Sequence, residues 1–159
     1  MFWVTSAPVV AELPFGASPP PSVRPLRHLS AEELLQAIDQ GLGDTQERLT
    51  WLRWHAWWAV NQVRRAEVRN PQPVAVGDFP SGSPQRANLE ALVATMGAGS
   101  TETLLLKVEA LRELSRFDEA QALLDSPALA VRRRQVDAVF IADRIRLRDA
   151  LVVVLPVEP

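Results

Sequence analysis

Few side chains in this sequence are able to do chemistry, and they are scattered. His28 and His55 are the only histidines, and they do not form the i, i+4 pair that sets two imidazoles on one helix face around a metal ion. His55 has the right type to orient a serine or a carboxylate in a triad, because triads are assembled in space and not in sequence. No Gly-x-Ser-x-Gly elbow accompanies it, and Ser81-Gly82-Ser83 reads as a loop followed by a helix cap. Glu32-Glu33, Glu109 with Glu113, and Asp118-Glu119 are paired carboxylates, the material of general acid/base work. Each pair also has a structural reading. Glu33 completes a helix cap, Glu109 and Glu113 form an outward-facing row, and Asp118-Glu119 sits at a helix start, where the macrodipole favours anions. Gly97-Ala98-Gly99-Ser100 lacks the lysine and the preceding strand of a phosphate loop. With 0 cysteines the chain has no disulfide, thiolate metal site or thiol nucleophile. The expectation is a protein that is not an enzyme and has no cofactor and no metal.

Charge separates the partner classes. Lys+Arg number 17 against 19 Asp+Glu, a net charge of -2, which disfavours a protein devoted to coating nucleic acid or an anionic membrane. Lys107 is the only lysine. Arg132, Arg133, Arg134, Arg144, Arg146 and Arg148 gather near the C-terminus and form a candidate basic patch, hence a nucleic-acid alternative. Their simpler reading is a solvated face ion-paired to the hairpin that holds Glu109, Glu113, Asp118 and Glu119.

The tryptophans carry the most information. Trp51, Trp54, Trp57 and Trp58 crowd one short stretch, and tryptophan serves both as a core anchor and as an interface hot spot. Leu49, Leu52, Ala56, Val60 and Val63 make one stripe of that helix, and Trp51, Trp54 and Trp58 make another, with Trp57 between them on the far side. The core reading is favoured, and the candidate partner surface is Trp51, Trp54, Trp57 and Trp58. A tryptophan-lined small-molecule pocket is the alternative.

Helical punctuation dominates the elements that must position these groups. Ser30 with Glu33 is a capping box, and Leu34, Leu35 and Ile38 follow it. Gly41 and Gly43 end that helix, and Asp44-Thr45 opens a long one over about Thr45–Glu67. Asn70-Pro71-Gln72-Pro73 breaks it. Ser83-Pro84 caps a third helix with Leu89, Leu92, Val93 and Met96, and Ser100 or Thr101 caps a fourth with Leu104, Leu105, Val108, Leu111 and Leu114. A break at Arg116–Asp118 leads into a helix ending near Ser126-Pro127, and a last helix covers about Leu129–Arg148, with Val136, Val139, Phe140, Ile145 and Leu147 as its apolar residues. The fold class expected is all-α, with five or six helices in antiparallel hairpins. Residues 1–29 form an extended proline-rich arm whose Phe2, Trp3, Val4, Val9, Val10, Leu13 and Phe15 pack on the body. Residues 30–149 are the helical domain and 150–159 an extended segment. Leu151–Leu155 has the β-propensity of a strand. It pairs with the arm, lies in a groove, or joins a second copy in a homodimer. The N-terminal stretch lacks the basic start of a signal peptide and no apolar run reaches the roughly 20 residues of a membrane span, so a cytoplasmic protein is expected, with no membrane partner.

The segment Leu104–Leu124, with Ser115 at the tight turn, Phe117 after it and Ala120 where two helices approach closely, resembles one tetratricopeptide-type hairpin. No second copy stands at that family's period of about 34 residues, so a solenoid is not expected. Leu52–Ala59 followed by Asn88–Leu92 also resembles the helical part of a group of bacterial proteins that often carry a cysteine-rich zinc ribbon ahead of it. Here a cysteine-free arm stands in that place. The resemblance implies packing over about Leu49–Leu124 and no activity. The function these observations lead to is a non-catalytic protein-interaction module with a protein or peptide partner.

Overall fold

In a computed structural model of the chain, residues 29–69, 79–97, 99–132 and 135–151 are described. The protein is all-α. Among the described residues the helices are α1 Ala31–Asp39, α2 Gln46–Arg69, α3 Pro84–Thr95, α4 Thr101–Glu113, α5 Phe117–Leu124 and α6 Val136–Arg146, with a single 3-10 turn at Pro127–Leu129. No strand occurs among them.

The helix starts follow from local hydrogen-bond demand. Ser30 accepts from the Glu33 N–H while Glu33 accepts from the Ser30 N–H, the reciprocal arrangement of a capping box. Thr45 accepts from the Arg48 N–H, Ser83 from Arg86 with Pro84 in the first turn, and Ser100 from Thr103. Three helix ends share one solution. After α1, α4 and α6 the residues Gly41, Ser115 and Arg148 turn left-handed at φ 73°, 61° and 51°. The following amide then reaches back to the fourth-last carbonyl of the turn: Leu42 to Ala37, Arg116 to Leu111 and Asp149 to Arg144. Only one of the three is a glycine. The end of α3 is closed differently, by the Lys107 ammonium donating to the Met96 carbonyl at 2.5 Å.

Two apolar clusters share α2. On one face Leu52 and Ala56 bury against Leu34 and Ala37 of α1. On another, Trp57 enters the main core with Leu89, Leu92 and Val93 of α3, Val108 and Leu111 of α4, Phe117 and Ala120 of α5, Leu129, and Ile141 and Ile145 of α6. The central helix is α4, which packs against α3, α5, α6 and the 3-10 turn. Asn88, buried, donates to the Arg53 carbonyl at 3.0 Å and accepts from the Arg53 guanidinium, fixing α3 to α2.

Three expectations need correction. The last helix begins at Val136 and not near Leu129, because Pro127–Leu129 turns tightly to bury Leu129 and leaves the chain in turns up to Arg132. Its inner face is Ala138, Ile141 and Ile145, while Val136, Val139 and Leu147 are exposed. In α2, Val63 lies on the stripe facing α1 but is 61% exposed, since the shorter α1 does not extend over it. The arm, most of 150–159 including Val152–Leu155, and His28 fall outside the described residues.

Candidate functional site

The tryptophans divide between the two roles. Trp57 is 4% exposed and belongs to the core. Trp54, half-buried, packs against that core and meets Trp57 edge-on at 6.0 Å. Trp58 is 49% exposed and Trp51 36%. Positions 51, 55 and 58 lie nearly in line on one helix face, and the rings show it: His55 stacks on Trp51 at 3.8 Å and stands 6.2 Å from Trp58. The His55 Nδ1–H donates to the Trp51 carbonyl at 2.9 Å, which sets the ring's orientation. The result is an aromatic ridge along the outer face of α2, turned away from α1 and α3, with Trp54 bridging it to the core.

Under that ridge lies a polar cluster that contradicts the outward-facing row expected of Glu109 and Glu113. Glu113 is 1% exposed. It accepts from Trp57 Nε1 at 2.8 Å and from Asn61 Nδ2 at 3.0 Å, and the Arg64 guanidinium stands at 3.9 Å. Arg64 in turn lies over the Phe79 ring at 4.4 Å. Burial, reinforced by the charge of Glu109, pushes the Glu113 carboxyl up to about 7, against the Trp57 N–H and the Arg112 and Arg64 cations. The buried Asn61 Oδ1 has no hydrogen-bond partner among the described residues. The missed signal was in α4 itself. Leu106 and Ala110 are apolar positions off the main stripe, and they mark a second packed face on which Glu113 falls.

Arg112, fully buried, was missed as well. It grips Glu109 through two nitrogens at 2.8 and 2.6 Å and donates to the main-chain carbonyls of Asp149 and Leu151.

The arginines of the candidate basic patch are engaged where they are described. Arg132 pairs with Glu102 at 2.5 Å and approaches Asp137 at 3.8 Å. The Glu102 carboxyl is held down to about 2, first by a backbone N–H, then by Ser100 and Arg132. Arg144 pairs with Asp149 at 2.9 Å and lies over Phe140, and Arg148 meets Asp118 at 3.5 Å and lies over Phe117. Among the described residues, the expected ion pairs to the acidic hairpin reduce to the one this group makes with Asp118. Glu109 and Glu119 are taken by Arg112 and Arg116 within the hairpin, and Glu113 by Arg64. Arg133 and Arg134 lie outside the described residues.

Among the described residues no group of three or more His, Asp or Glu is placed to hold a metal ion, and no helix is long and apolar enough to cross a membrane. The depression lined by Leu35, Ala56, Trp57, Val60, Phe79, Gln85 and Asn88 has no room for a water molecule. Comparison with known proteins gives no match: no family model, no curated protein and no solved structure is significantly similar to this chain.

Proposed function

We propose that this chain is a non-catalytic protein-interaction module that presents the outer face of α2 to a protein or peptide partner. One observation carries the reading: Trp58, half exposed, stands in line with His55 and Trp51 on a helix whose other faces are committed to α1 and to the main core. A large aromatic left in water on a helix already anchored on two sides gains little for folding and much for binding, where its apolar area and rigid ring make it a hot spot. The tight packing of the Trp57 depression favours a surface partner over an enclosed small molecule. The carboxylate partners of Arg132, Arg144 and Arg148 lower the case for nucleic acid. The tetratricopeptide-like reading of the α4–α5 hairpin, with Ser115 at its turn and Ala120 buried, belongs to the same proposal.

The test is affinity capture from a native cell extract with the unaltered chain and with Trp58→Ala in parallel, followed by titration of the purified partner. A partner held by the ridge should bind the variant at least ~30-fold more weakly, the scale of a hot-spot loss, while the variant's melting temperature stays put. Equal recovery of every captured protein by both chains would overturn the reading.

A further inference from the structure

Helices α1 and α2 are joined by only six residues, 40–45, and run antiparallel, with Leu35 beside Ala56 and Val60. The first turn of α1 therefore stands level with α2 just beyond Val60, and Leu29, which is exposed, leaves the body there. At that same level α2 shows the exposed Val63, and Gln62, its neighbour in sequence, is a quarter-turn round the helix, on the face of Trp58, His55 and Trp51. The aromatic ridge thus begins next to the point where the N-terminal arm joins.

The arm has the composition such a surface selects. Residues 1–15 contain Phe2, Trp3, Val4, Val9, Val10, Leu13 and Phe15 together with Pro8 and Pro14. Proline-containing segments dock on aromatic-lined surfaces because their extended conformation is already set before binding, and aromatic side chains add offset or edge-on ring contacts. Reach is not limiting. The residues between Phe15 and Leu29 span roughly 43 Å at about 3.1 Å each, longer than the roughly 36 Å of α2. A tethered segment also meets its site at an effective concentration of about millimolar, which a second copy at micromolar concentration does not match.

We propose that Phe2–Phe15 of this chain lies on the Trp58–His55 ridge of its own α2 and competes there with the protein partner. This rests on the reading of the ridge as a docking surface given above, and it adds an internal regulator: the partner must displace the arm, and a partner that does so has the same proline-and-aromatic chemistry.

The full-length protein carrying the photo-crosslinker p-benzoylphenylalanine at Gln62, irradiated at low micromolar concentration and analysed by mass spectrometry, tests the proposal. The result expected is an intrachain crosslink from position 62 into residues 2–15. Its yield should fall at least tenfold when Phe2→Ala and Trp3→Ala are combined, and fall again when a synthetic peptide of residues 1–18 is added in millimolar excess. A crosslinked dimer would assign the ridge to a second copy and overturn the proposal. So would the absence of any crosslink into the arm. The docking reading fails separately: an arm crosslink together with partner recovery indifferent to Trp58→Ala would keep the arm on the ridge and remove the competition. Recovery that depends on Trp58 without an arm crosslink would do the reverse.

Discussion

Glu113 has a donor from Trp57, a donor from Asn61 and a cation at 3.9 Å, yet Asn61 Oδ1 faces no donor among the described residues. Protonation keeps the shortest of these contacts, because the carbonyl oxygen of a neutral carboxyl still accepts from Trp57 Nε1. The neutral form is also the one that burial favours, which is why the carboxyl titrates near 7. The sign for stability follows. An unfolded glutamate titrates near 4.3, so between about 4.5 and 7 the folded protein holds a proton that the unfolded chain releases. Stability should therefore fall as pH rises through that window, by on the order of 3 kcal/mol for this group, and level off above it. Glu113→Gln reproduces the neutral form at every pH. It should flatten that part of the curve in urea melts between pH 5 and 8 and be at least as stable as the parent chain at pH 8. A variant that is less stable at pH 8, with the slope unchanged, would refute the neutral-carboxyl account. The residue was in plain view in the sequence, but its wheel position opposite Leu104 and Val108 reads as outward on a surface helix. Only the placement of α4 at the centre, with neighbours on several sides, turns that position inward.

Element by element, the helix starts that carry a side-chain cap were legible, whereas the uncapped start of α6 and the faces of α2 and α6 were not. Ser30, Thr45, Ser83 and Ser100 cap where their sequence signatures place them, because a cap is settled within four residues. A face depends on what lies across from it. The two apolar stripes of α2 are equivalent on a wheel, and nothing in the sequence says that α1 covers Leu52 and Ala56 while Trp58 stays in water. The separation predicts opposite outcomes for two chemically identical substitutions. Trp57→Ala should cost roughly 3–5 kcal/mol, through lost packing against the main core and a Glu113 left one donor short. Trp58→Ala should stay within about 0.5 kcal/mol of the parent. Guanidinium melts of both at pH 7 check this, and similar midpoints for the two variants would show that the division of the cluster is wrong.

At the scale of the molecule, the chain's end is tied to its centre by a contact that sequence patterns do not encode. The run Leu151–Leu155 reads as a strand in search of an edge, yet the observed attachment is made at its first residue, through main-chain carbonyls that any residue supplies. Arg112 reaches them because Glu109, one turn back on α4, neutralises and aims the guanidinium, leaving its remaining N–H groups for Asp149 and Leu151 just after the left-handed exit of α6 at Arg148. The same buried side chain thus closes α4, α6 and the C-terminal segment into one unit, with Ala150 buried in the main core. Arg112→Met keeps most of the volume and removes every donor. Water can reach Leu151 and part of Glu109, so the loss should be on the order of 3 kcal/mol and not the larger cost of stranding a fully buried charge. Arg112→Lys, a point charge that cannot serve the carboxylate and two carbonyls together, should fall between. Hydrogen exchange gives the sharper reading: amides from Leu147 to Leu151 should exchange far faster in Arg112→Met, while those of the α1–α2 hairpin should slow or quicken only as much as global stability changes. If the Leu147–Leu151 amides move no more than those of α1 and α2, Arg112 serves only the packing of α4, and the C-terminal segment is held by something else.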